Sequence, residues 1–142
     1  MRDDIKSLLP HREPFLFVDK LTVINEEEIT GTRKFTDADF FFKGHFPQYP
    51  VVPGVILVET MAQCGGAGIR ALGKLDDSSL FFLASVDSVK FRRQVRPGDE
   101  VRMEIKNLRI SKKMIKQAGK AYVGEELAAE AEWLCLVGEA PV

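Results

Sequence analysis

Gly54-Val55-Ile56-Leu57-Val58-Glu59-Thr60-Met61-Ala62-Gln63-Cys64-Gly65-Gly66-Ala67-Gly68-Ile69-Arg70-Ala71-Leu72 holds no proline and ends against Gly73. That composition predicts a helix over 54–72 with Gly73 as its stop. The apolar residues lie nearly all round it, so the helix belongs at the centre of a domain rather than on its surface. Gly65, Gly66 and Gly68 weaken it intrinsically, each by up to ~1 kcal/mol relative to alanine. The expected compensation is close approach of another backbone, from a sheet or a partner subunit.

The flanks read as strands. Before the helix, Phe15 to Ile24 and Ile29 to Phe35 are rich in apolar and β-branched residues, with Glu26-Glu27-Glu28 as a polar turn. Pro10 and Pro14 limit Ile5–Leu9 to a short helix. After Ser78 everything reads as strand. Val101, Met103 and Ile105 alternate with Arg102, Glu104 and Lys106, and residues 127 to 137 alternate in the same way. Pro97-Gly98-Asp99 and Val123-Gly124-Glu125 mark turns. Two strands, a buried helix and three or four more strands define an α+β class, satisfied by a curved antiparallel sheet wrapped around one helix.

The chain has 142 residues, enough for a single domain over 1–142 with a core of its own. A net charge of −1 argues against a nucleic-acid binder. The longest apolar stretch, from Val51 to Ala62, carries Glu59 and is too short to span a membrane. The N-terminus lacks the pattern of a signal peptide, so a cytoplasmic protein is expected. Cys64 and Cys135 read as reduced core thiols, and with two histidines in all, no metal site is expected.

Residues 36 to 54 hold three prolines, two glycines and five aromatic residues, the composition of an irregular segment packed onto something. His45 sits in it. Glu59 is an acid in the most apolar helix, where an unpaired charge is costly and burial raises the pKa. Gly54 stands where free N–H groups and the helix dipole favour a developing negative charge, about 7–8 Å along the axis from Glu59. Base, acid and oxyanion donor suit removal of a proton next to a carbonyl. Gln63, one turn beyond Glu59, could instead simply satisfy it. His11 has only Glu13 as a nearby acid and reads as structural. Lys90, Arg92, Arg93 and Arg96 form either a solvated strand face or a docking patch for an acidic partner.

Leu9-Pro10-His11-Arg12, Pro14-Phe15, Val18-Asp19, Gly44-His45-Phe46-Pro47, Pro50-Val51-Val52-Pro53-Gly54-Val55, Glu59 with Met61-Ala62-Gln63, Lys90-Phe91-Arg92 and Pro97-Gly98-Asp99 follow one another in this order. In these the chain resembles the β-hydroxyacyl-[acyl-carrier-protein] dehydratases of the hotdog fold. The resemblance implies dehydration of a (3R)-3-hydroxyacyl thioester to the trans-2-enoyl thioester in type II fatty-acid synthesis. It implies His45 and Glu59 as the catalytic pair and the Gly54 N–H on the thioester carbonyl, with no cofactor. Phe46, Pro53, Gln63, Phe81, Phe82 and Leu83 would then lie along the substrate. The Lys90, Arg92, Arg93 and Arg96 cluster would receive acyl carrier protein. A homodimer with helix against helix and shared sites is implied, assembled further as a trimer of dimers. The Gly65–Gly68 run would suit that packing. Two departures, Gln48-Tyr49 and Val52, bear on chain length more than on chemistry. Two rival readings keep the same residues: a thioesterase using Glu59 to activate water, and an acyl-binding subunit without catalysis.

Overall fold

The computed structural model describes residues 1–139. After a short helix α1 (Ile5–Leu8) come β1 (Lys20–Ile24), β2 (Glu28–Lys34), a 3-10 turn (Phe40–Lys43), α2 (Gly54–Ala71), β3 (Ser79–Phe91), β4 (Glu100–Ile110), β5 (Met114–Val123) and β6 (Glu126–Glu139). The strands form one sheet in the order β1-β2-β4-β5-β6-β3, with every neighbouring pair antiparallel. The sheet curves around α2, which contacts all six strands. This is the hotdog fold.

Thirteen of the eighteen residues of α2 are buried, as an all-round apolar helix demands. It ends on Leu72, with Gly73 at φ +76°, a left-handed conformation that glycine adopts without strain. Val101, Met103 and Ile105 of β4 face the helix, as do Ala129, Ala131, Trp133 and Cys135 of β6, all buried.

Two expectations need correction. Phe15–Asp19 is not strand: β1 starts at Lys20, with one Asp19 N–H to Thr32 O bond (2.8 Å) ahead of it, and the Phe17 N–H donates to the side chain of Gln63 on α2 (2.8 Å) instead of to a ladder. The glycine run on α2 also admits side chains of the chain's own sheet rather than a backbone. A Cβ on Gly65 would stand 2.2 Å from Gln117 Oε1, one on Gly66 2.2 Å from the Phe81 ring, and one on Gly68 2.4 Å from Ile29 Cδ1. Gln117 is itself buried and held at both ends of its amide, donating to Asn107 Oδ1 (2.8 Å) and accepting from Trp133 Nε1 (3.1 Å). Gly65→Ala is therefore expected to destabilise the fold by about 1–3 kcal/mol despite a better helix propensity, because the methyl overpacks a side chain that cannot swing away. Urea denaturation checks this, and a stabilised variant would contradict it.

The aromatic segment is packed as expected. Phe41 lies 6.1 Å from Phe17 and 5.9 Å from Phe35, centroid to centroid. Arg33, paired with Asp39 and stacked over Phe35, ties the segment to β2. Cys64 and Cys135 are buried free thiols, and burial pushes both up to about 12, so they stay protonated. Among the described residues no helix is long and apolar enough to cross a membrane, and no group of three or more His, Cys, Asp or Glu could hold a metal.

Candidate active site

His45 follows the 3-10 turn, its N–H bonded to Phe41 O (2.9 Å) and its carbonyl accepting from Val51 N–H (3.0 Å). The imidazole is fixed through Nδ1, 3.1 Å from Val51 O. A carbonyl can only accept, so Nδ1 carries a hydrogen, and in the neutral ring Nε2 is the nitrogen with the lone pair. The Phe46 ring stacks on the imidazole at 4.2 Å and is about half exposed. The rest of the loop is braced from behind. Tyr49 donates to Gln94 Oε1 (2.8 Å), Arg96 lies 4.1 Å over the Tyr49 ring, and Val52 N–H bonds Val95 O (2.8 Å). Tyr49 thus serves the loop's stiffness.

Gly54 opens α2, with half-buried Pro53 as its cap. The Pro53 carbonyl accepts from Ile56 and Leu57, whereas the N–H groups of Gly54 and Val55 donate to no carbonyl among the described residues. The Phe91 ring lies so near that a Cβ on Gly54 would stand 2.7 Å from it. A hollow of about 530 Å³ opens there, lined by Gly54, Val55, Leu57, Phe91, Arg92 and Arg93 among others. Another, of about 450 Å³, lies on the outer face of the sheet between Glu104, Lys120 and Glu132, away from these groups.

Glu59 lies on α2, mostly buried, and burial raises its pKa more than the bond from Gln63 lowers it. Gln63 is fully buried and its amide is fully used: Oε1 takes the Phe17 N–H, while Nε2 donates to Phe15 O (3.1 Å) and to Glu59 Oε2 (2.9 Å). Gln63 therefore stands behind Glu59, where the i+4 spacing put it, with no polar atom left for a bound substrate.

The sequence missed a neighbour. His11 Nε2 is 3.7 Å from Glu59 Oε2, so His11 stands beside the helix acid and not only in a packing role. Forty-eight positions separate the two, and no local spacing announces the contact. His45 and Glu59, in contrast, share no hydrogen bond or ion pair within the described chain.

The remaining candidates divide. Phe81 is half-buried over Gly66, 6.0 Å from the His11 ring. Phe82 and Leu83 are exposed, and strand alternation turns Phe82 to the opposite face from Phe81. In the basic cluster Arg92 pairs with Glu130 (3.3 Å) and Arg93 with Glu126 (3.4 Å), while Arg96 is stacked on Tyr49. The positive charge is thus partly spent inside the chain, and Lys90 makes no ion pair among the described residues.

The sheet wraps around a helix that carries a mostly buried acid, and that fold defines the class. Solved structures share the fold. The dehydratase heterocomplex ApeI:P from Xenorhabdus doucetiae superposes with a TM-score of 0.78 over 96% of this chain and 91% of that one, at 17% identity. A hypothetical thioesterase with coenzyme A from Streptococcus pneumoniae gives 0.62 over 87% and 88%, at 12% identity. Sequence narrows the class further: residues 9–132 match the FabA-like domain, and the chain belongs to that family. It is 43% identical to the 3-hydroxyacyl-[acyl-carrier-protein] dehydratase FabZ of Desulforamulus reducens, over 95% of both chains. It is 42% identical to the FabZ of Clostridioides difficile, over 92% of both.

Proposed function

We propose that this chain removes water from (3R)-3-hydroxyacyl thioesters on acyl carrier protein, giving trans-2-enoyl thioesters for fatty-acid biosynthesis. What carries the reading is Glu59, a carboxyl made protonatable by burial, in a chain 43% identical across 95% of its length to a FabZ dehydratase. His45 Nε2 takes the proton from C2 of the substrate. The C3–O bond breaks as Glu59 protonates the departing hydroxyl, which leaves as water. The Gly54 N–H polarises the thioester carbonyl as charge develops on it. Phe46 and Pro53 flank the bound thioester, and Phe81 and Leu83 border the acyl chain. The carrier protein meets the rim formed by Lys90, Arg92, Arg93 and Arg96. The chain forms one hotdog domain and works in the cytoplasm.

The catalytic pair is completed between two copies of the chain. His45 and Glu59 do not meet within one protomer, and β3, an edge strand with exposed Phe82, Leu83, Val89 and Phe91, offers the surface for a second copy. Three such pairs form the full assembly.

Hydration of a crotonyl thioester, followed by loss of enoyl absorbance, tests both parts. The wild type is active, and His45→Ala is slower by about 10²–10⁴-fold. Co-expressing His45→Ala with Glu59→Gln restores about a quarter of wild-type activity, since random pairing makes half the dimers mixed with one intact site each. Release of free thiol in place of hydration would identify a thioesterase. Active wild type with no rescue would place both residues of a site in one chain.

A further inference from the structure

The two oxygens of Glu59 are not equivalent. Oε2 receives the Gln63 amide at 2.9 Å and faces His11 Nε2 at 3.7 Å. Among the described residues Oε1 makes no hydrogen bond and is not one of the buried unpartnered atoms, so it opens outward. Gln63 cannot be turned round, because the Phe17 N–H requires an acceptor and the Phe15 carbonyl a donor.

The state of His11 follows from its surroundings. Its Nδ1 is buried with no partner among the described residues. A hydrogen on that atom would be a buried donor left unsatisfied, which is costly, so the ring is neutral and its single hydrogen sits on Nε2, toward Glu59. Burial and the charge of Arg12 both hold its pKa below the ordinary histidine value, which agrees.

We propose that His11 is a positioning residue for the dehydration step: with Gln63 it directs two N–H groups at Glu59 Oε2, leaving Oε1 as the oxygen that carries the proton and faces the substrate. The inference rests on the dehydratase reading. At 3.7 Å the imidazole is poised rather than bonded, and contacts of this kind tighten when substrate fills a site. Without His11 the carboxyl pivots about its single bond to Gln63, and Oε1 is no longer held toward C3–OH. The charged and titratable groups around the pair are few. Arg12 lies next to His11, and the Cys135 thiol on β6 feels Glu59 but stays protonated. Phe81 on β3 is uncharged.

The test compares His11→Leu, His11→Gln and His11→Asn. In hydration and dehydration assays His11→Leu lowers kcat by about tenfold to a hundredfold with little change in KM, the scale expected of a misplaced reacting group. His11→Gln, whose amide reaches the place of Nε2, recovers most of the loss, and the shorter His11→Asn does not. Because N–H donation favours the carboxylate, its removal raises the Glu59 pKa. In the dehydration direction, where Glu59 must hold its proton, the alkaline limb of the kcat profile therefore moves to higher pH in His11→Leu and returns in His11→Gln. Titration of the ¹³C-labelled Glu59 carboxyl reports the same shift without any turnover. A His11→Leu variant with wild-type kcat and an unmoved carboxyl titration overturns the proposal, as do equal rates for the Gln and Asn variants. A wild type that hydrates nothing overturns the dehydratase reading instead, and the NMR titration still decides whether His11 orients Glu59. If His11→Leu does not fold, His11→Gln against His11→Asn supplies the decision.

Discussion

Glu59→Gln is expected to lower kcat for hydration of a crotonyl thioester by about 10²–10⁴-fold, with KM little changed. The amide matches the carboxyl in shape and can still accept the hydrogen bond from Gln63 through its oxygen. It cannot take the proton from the attacking water, the reverse of protonating the departing hydroxyl. Stability should move the other way. Burial raises the carboxyl's pKa in the folded chain, so above about pH 4, the ordinary carboxylate range, the unfolded chain has lost a proton that the folded chain still holds. Wild-type stability therefore falls as pH rises from that value toward the raised one, while a glutamine at 59 is indifferent. Melting temperatures measured upward from pH 4 should diverge in favour of Glu59→Gln. A variant that is both inactive and less stable at neutral pH would mean that Glu59 is a charged, paired structural group.

The largest effect on the fold is expected at Trp133. The indole is buried against Gly119, where a Cβ would stand 2.5 Å from it. It also donates to Gln117 Oε1, and Gln117 in turn fills the space over Gly65. Trp133→Ala leaves a cavity costing about 3–5 kcal/mol and strands a buried amide oxygen, adding roughly 1–3 kcal/mol. Against a total stability of about 5–15 kcal/mol, that is enough to leave a large fraction unfolded at physiological temperature. Denaturant unfolding by circular dichroism measures it. Trp133→Phe, which fills most of the volume but still orphans Gln117 Oε1, separates the two contributions. A loss below 2 kcal/mol for the alanine variant would show that the sheet collapses readily onto the space.

The parts of this fold that could be read from sequence are those that local pattern determines. α2 is legible from nineteen residues without proline ahead of Gly73, and β4 and β6 from strict alternation. Where tertiary partners decide, the pattern misleads. Phe15–Asp19 has strand composition, yet Phe17 spends its N–H on Gln63. The glycines of α2 imply a close approach without naming what approaches, and side chains of the chain's own sheet prove to fill the space. The candidate site is legible to the same extent. His45, Gly54 and Glu59 lie within fifteen residues and share one loop-to-helix passage, whereas His11 reaches Glu59 only because β1 and the segment before it fold back across α2. The basic cluster is visible as composition, but Glu126 and Glu130, which temper it, belong to a strand more than thirty residues away.

The outermost strand has a cost for the cell that makes this protein. β3 runs thirteen residues with one flank paired to β6 and the other unpaired among the described residues, carries Phe82, Leu83, Val89 and Phe91 exposed, and is interrupted by two bulges and the charges of Asp87 and Lys90. Such an edge is a template for any extended chain that meets it. Newly made copies emerging from neighbouring ribosomes are therefore sticky until the edge is covered, and the hazard grows with the rate of synthesis. Substitutions along β3 should surface first as poor recovery from overproducing cells, as inclusion bodies rather than as a well-behaved small species in solution.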